Sequence, residues 1–96
     1  MMNPWPIEIG SVVISKAGRD RGRAFLVVDV VDDDFVMVAN GALRKMDRQK
    51  KKRRKHLKPT GRVVAELRER LSQAKPVEDH ELRTWLSEEE EKLVQV

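Results

Sequence analysis

Three arginines at alternate positions, Arg19, Arg21 and Arg23, run through a short segment that also carries Gly18 and Gly22. Glycine takes a positive φ without penalty and lets another backbone come close. A basic turn pinned by two glycines, with Lys16 at its start, is a means of aiming guanidinium and backbone N–H groups at phosphate oxygens. A second supply of positive charge follows. Arg48, Lys50, Lys51, Lys52, Arg53, Arg54 and Lys55 fall within eight positions, and His56 adjoins them. Cations set against nucleic-acid phosphates release condensed counterions, which is the main source of sequence-independent affinity. A solvated loop or a nuclear-localisation signal has the same composition. The run lies between two predicted strands of the same small domain as the glycine loop, and this favours phosphate contact. The candidate contact residues are therefore Lys16, Gly18, Arg19, Arg21, Gly22, Arg23, Arg48, Lys50, Lys51, Lys52, Arg53, Arg54, Lys55 and His56, with Asp20 and Asp29 placed to neutralise part of the group.

Other chemistries find no support in the residues. There is no cysteine, so disulfides and thiolate metal sites are excluded. His56 and His80 are the only histidines and do not make a usual zinc set. Asp32–Asp34 lacks the spacing and the bidentate glutamate of an EF-hand and reads as a turn. No nucleophile stands with a base, and neither a P-loop nor G-x-G-x-x-G occurs. Glu88–Glu91 reads as a solvated run. Neither catalysis, a small-molecule substrate, a metal nor a cofactor is expected.

The elements that must position the basic residues can be read from hydrophobic patterning. Val12–Ser15 reads as a strand entered from the Pro4–Trp5–Pro6 arm, and Phe25–Val31 as a second, nearly continuous apolar strand. Its period-2 split separates Leu26, Val28 and Val30 from Phe25, Val27, Asp29 and Val31. The uncharged set is assigned to the core. Asp32–Asp34 turns the chain, Phe35–Ala39 returns, and Asn40–Gly41 is a strong two-residue hairpin signal. A strand near Leu43–Met46 and a short closing strand at His56–Leu57–Lys58, stopped by Pro59, complete a small barrel. Phe25, Phe35, Trp5 and Trp85 are read as packing aromatics.

Beyond Gly61 the period changes. Val63, Val64, Leu67 and Leu71 recur at helical spacing, with Thr60 as N-cap and Lys75–Pro76 as terminator. A second helix starts near Asp79 and buries Leu82, Trp85 and Leu86, and Ser87 with Glu90 matches a capping box that would restart it. The expected organisation is a barrel over residues 1–61 and a helical region over 62–96. Charge divides along almost the same line. Residues 1–62 carry 15 Lys/Arg against 7 Asp/Glu, a net of +8, and residues 63–96 carry 5 against 9, a net of −4. The basic part calls for a polyanionic partner. No segment combines an apolar and a basic helical face, approaches ~18 apolar residues or resembles a secretory signal. A soluble, cytoplasmic protein without membrane contact is expected.

Gly10–Val31 has the form G-x-V-V-x-x-x-x-G-x-x-x-G followed by a valine-rich strand. It resembles the KOW motif of ribosomal proteins and transcription elongation factors, with Gly22 at the motif's characteristic glycine and the match running from Val12 to about Val38. The order AGRDRG, VVDVVDDDFVMVANG and a basic stretch ending HLKPTG is similar to KOW-containing large-subunit ribosomal proteins of the fourteen-e type over Gly10–Gly61. Ala24–Phe25 stand where the more familiar loop has a further glycine. The resemblance implies a small SH3-like barrel over this part and does not cover the region after Gly61; with the helices read there, the expected fold is mainly β with C-terminal helices, a barrel followed by a two-helix appendage. The resemblance also implies a ribosomal or ribosome-associated protein, part of a ribonucleoprotein acting in translation, that binds ribosomal RNA beside other ribosomal proteins. The competing expectation is a protein-interaction adaptor in transcription or translation that uses the barrel edge and the acidic helices.

Overall fold

The computed structural model describes residues 6–94, with side chains to residue 87. The expectations at Trp5 and for the side chains of Glu88–Glu91 lie outside the described residues. Five strands, β1 (Ser11–Ser15), β2 (Ala24–Val30), β3 (Phe35–Ala39), β4 (Lys50–Arg53) and β5 (Leu57–Val63), precede two helices, α1 (Ala65–Ser72) and α2 (Asp79–Val94). The strands form one antiparallel sheet in the order β4-β3-β2-β1-β5. It curls around an inner cluster of Val13, Phe25, Val27, Val36, Val38 and Leu57. A 3-10 turn, Arg54–His56, joins the two outer strands. The result is the expected mainly β fold, an SH3-like barrel with C-terminal helices.

The sheet buries both faces. Val12, Leu26, Val28 and Ala39 point outward from the barrel and pack with Val64, Leu67, Leu82 and Leu86 of the helical region. Full burial of a leucine such as Leu67 or Leu82 stabilises by about 1.5–3 kcal/mol, so this outer layer is a second core. The assignment of a single core face to β2 is thereby corrected. Phe25 and Val27, on the face that also carries Asp29, are fully buried, whereas Val30 of the uncharged set is 41% exposed. A strand covered on both sides reads as a continuous apolar run and gives no alternation to choose by. A bulge between Val27 and Asp29 then shifts the register and turns the end of β2 out to solvent.

Four local expectations fail for reasons of hydrogen bonding. Asn40–Gly41 does not make a two-residue hairpin, and no strand forms at Leu43–Met46. The Asn40 side-chain carbonyl accepts from the N–H groups of Ala42 and Arg44, while the Arg44 carbonyl accepts from those of Asn40 and Gly41. These groups are satisfied inside the turn and have nothing to offer a ladder. Gly41 has φ +77°, and a Cβ there would collide with the Asp79 carbonyl oxygen, so helix α2 is the second reason for a glycine. Thr60 caps no helix. It lies in β5 and donates its hydroxyl to the Val12 carbonyl at 2.9 Å, and the helix begins only after Val64, whose N–H is bound by the Gly10 carbonyl. Ser87 does not restart a helix either. α2 runs unbroken past it, and the Ser87 hydroxyl donates back to the Thr84 carbonyl.

The start of α2 at Asp79 agrees with the sequence. Glu81 accepts from the Glu78 N–H and pairs with Arg70 of α1, which also holds Glu66 and lies 5.8 Å from the Trp85 ring centroid. The Glu78 N–H first, and Arg70 second, hold the Glu81 carboxyl below its ordinary value. The same partnership raises Arg70.

Candidate nucleic-acid interface

The β1–β2 loop is a compact double turn. Gly18 and Gly22 have φ +75° and +86°, and a Cβ at either would meet nothing within 4 Å. Both glycines serve backbone conformation alone. The N–H groups of Arg21, Gly22 and Arg23 donate to the carbonyls of Gly18, Ser15 and Asp20 respectively. This stretch therefore presents side chains, not a backbone cradle for anions. The turn also disperses the alternating arginines. Arg21 folds back to donate from Nε to the Lys16 carbonyl at 3.1 Å, and of the three only Arg19 lines the groove described next.

The lysine run is organised by the pleat of β4. Lys51 and Arg53 are exposed and pass over the Phe35 ring, with Nζ 4.5 Å and Cζ 5.0 Å from its centroid, a cation–π arrangement that fixes two otherwise mobile side chains. Lys52 turns the other way. Its Nζ pairs with the Asp20 carboxylate at 3.3 Å, donates to the Ser15 hydroxyl at 3.1 Å and lies 5.4 Å from the Phe25 ring. Both partners of this pair are about nine-tenths buried, with side-chain exposures of 10% and 9%. Lys52 thus ties β4 to the β1–β2 loop across the open side of the barrel. Arg44 reaches the same carboxylate more distantly, 3.8 Å from Nη2.

These pieces enclose a surface groove of about 450 Å³. Among the candidate residues, Gly18, Arg19, Lys50, Lys51, Lys52, Arg53 and His56 line it, and Ala17, Asp20, Phe35 and Arg44 complete it. Six cations meet one carboxylate there, and that carboxylate is already held by Lys52. The remaining candidates lie elsewhere. Lys16, Arg21, Arg23 and Lys55 are exposed outside the groove, and Gly22 shapes the loop. Arg48 lines a separate shallow depression with Ala42, Leu43, Lys45 and Asp47. Arg54 is a brace: it donates to the carbonyls of Ile7 at 2.7 Å and Asp32 at 3.2 Å. Asp29 accepts from the next residue's N–H and takes no part. Sequence reasoning passed over Arg44, which precedes the basic run, and took Phe35 for a core residue. Arg53 opposite Phe35 in the β3–β4 register, with Lys51 two residues before it on the same face, was the missing signal.

No protein-family model matches the sequence. A 58-residue segment is 38% identical to large ribosomal subunit protein eL14 of Desulfurococcus amylolyticus, covering 60% of this chain and 60% of that protein. The chain is similar to archaeal eL14. The same length is 31% identical to eL14 of Staphylothermus marinus, again over 60% of each chain. It is 34% identical to eL14 of Pyrobaculum arsenaticum, over 60% of this chain and 56% of that one. The match thus spans about three fifths of the length of these eL14 proteins. Among the described residues no helix is long and apolar enough to cross a membrane, and no group of three His or acidic residues could hold a metal ion.

Proposed function

We propose that this chain is a non-enzymatic RNA-binding protein of the cytoplasmic large ribosomal subunit, with structured ribosomal RNA and neighbouring ribosomal proteins as its partners. The observation that carries the reading is the groove between the β1–β2 loop and β4, where cations from three separate segments converge around one neutralised acid. The naming of its relatives as large-subunit proteins supports the choice of RNA. Lys52 is committed to Asp20, so Arg19, Arg44, Lys50, Lys51 and Arg53 are the cations that face phosphate. Lys51 and Arg53 are held in place by Phe35, and ordering them on the RNA costs less side-chain entropy than ordering free lysines would. Recognition is by shape and backbone, since A-form RNA offers phosphates and 2′-hydroxyls more readily than base edges.

Five phosphate contacts give a slope of log K against log salt of about −3.5 to −4.5. Binding to transcribed large-subunit ribosomal RNA, followed from low to physiological salt, should show that slope and should exceed binding to duplex DNA of equal length. A constant that stays flat with salt, or that is equal for DNA, overturns the proposal.

A further inference from the structure

We infer that helix α2, which belongs to the acidic part of the chain, sets the position of Arg44 in the groove, so that Asp79 and Arg83 are positioning residues for RNA binding although neither faces the RNA. The inference rests on the RNA-binding reading above and extends it to a part of the molecule with the opposite charge.

Arg44 belongs to the β3–β4 connection, which has no ladder of its own. Its backbone is closed into a small ring: the Arg44 N–H donates to the Asn40 side-chain carbonyl at 2.9 Å, and the Arg44 carbonyl accepts from the Asn40 and Gly41 N–H groups at 2.7 and 3.0 Å. Such a ring fixes local shape but not its place on the barrel. That place is set by α2 at two points flanking Arg44. On one side, Arg83 donates from Nη1 to the Gly41 carbonyl at 2.5 Å, and the bare Cα of Gly41 lies against the Asp79 carbonyl. On the other, the Asp79 carboxylate accepts from the Met46 N–H at 2.8 Å. The Arg44 guanidinium then extends to the groove, 36% exposed, with Nη2 3.8 Å from the Asp20 carboxylate. Its Nε is buried without a hydrogen-bond partner. The direct hold of Asp20 on Arg44 is therefore slight, and its placement depends on the backbone that α2 grips.

The test uses the full chain and transcribed large-subunit ribosomal RNA across a salt series. Arg44→Ala removes one contact, which should weaken binding about five- to eightfold near ~0.1 M salt and make the salt slope shallower by about 0.7–0.9. Asp79→Ala should do the same, and on the Arg44→Ala background it should cause no further loss, because residues acting through one another are not additive. Asp79→Asn keeps an acceptor oxygen for the Met46 N–H and should restore wild-type slope. Arg83→Met, which leaves the carboxylate in place, tests the second grip independently and covers the case in which Asp79→Ala does not fold. Folded Asp79→Ala or Arg83→Met that retains the wild-type slope, or whose loss adds to that of Arg44→Ala, overturns the inference, as does Asp79→Asn behaving like Asp79→Ala. Lys51→Ala with Arg53→Ala is the control for the underlying reading. If that pair leaves RNA binding unchanged, the proposed function fails and this inference with it; if the pair weakens binding while the α2 variants do not, only the inference fails.

Discussion

Two basic segments look alike in the sequence and behave differently in the fold. In the β1–β2 loop, Arg19, Arg21 and Arg23 stand at every second position. In β4, Lys51 and Arg53 do so on one side and Lys50 and Lys52 on the other. The loop is turned twice by glycines at positive φ, so its spacing of two carries no meaning and its arginines scatter. The strand is extended, so its spacing of two becomes a division of labour. Lys51 and Arg53 face solvent over Phe35, while Lys52 is drawn in to Asp20. A charge pattern acquires a direction only once the backbone beneath it is known.

The sharpest way to break this contrast is to treat neighbouring lysines identically. Lys52→Ala leaves the Asp20 carboxylate buried without its close cation and should cost about 2–3 kcal/mol in urea unfolding, whereas Lys51→Ala should stay within about 0.5 kcal/mol. Equal losses would abolish the inward–outward division. Binding should reverse the ranking. Replacing Lys51 and Arg53 together by alanine should make the RNA salt slope shallower by about 1.4–1.8, while Arg21→Ala with Arg23→Ala should leave it nearly unchanged, as filter binding across a salt series would reveal. In the loop itself, Gly22→Ala should cost about 1–2 kcal/mol from the left-handed backbone alone, because nothing crowds the site. A thermal melt showing a much larger loss would mean that the loop is packed and not merely turned.

The smallest expected effect lies away from both basic regions. Glu81 is held below its ordinary carboxylate value in the folded protein, so it contributes stability above that value and loses it as pH falls through the lower, folded-state one. Asp32, bound by the N–H groups of Asp34 and Phe35, behaves alike. Denaturation midpoints should fall modestly between pH 6 and pH 3, roughly the range in which carboxylates protonate. Glu81→Gln should remove the Glu81 share of that fall.

Much of the fold was legible because it depends on short-range chemistry. The turn at Asp32–Asp34 follows from an aspartate oxygen accepting N–H groups two and three residues on, and the start of α2 follows from acidic residues set before Leu82 and Leu86. What stayed hidden depends on distant partners. Asn40–Gly41 carries a hairpin signal, yet its glycine is explained equally by α2, which lies 38 positions on at Asp79. The two-sided burial of β2 depends on helices that the strand's own residues do not announce. For the interface, composition revealed which segments are basic, but the ring of Phe35 beneath two cations depends on strand register, and the exclusion of Arg54 and the recruitment of Arg44 depend on partners far away in the chain.

The outer layer of the sheet has a consequence for the order in which the molecule is made. All five strands are synthesised before α1 and α2, so a growing chain can complete the barrel while Val12, Leu26, Val28 and Ala39 still form a bare apolar face. Exposed sheet surface of this kind is where folding chains stick to one another. Until Leu67, Leu82 and Leu86 arrive to cover it, the nascent protein is a ready adhesive, and each molecule reaches its folded form intact only if its helices dock sooner than a second chain does.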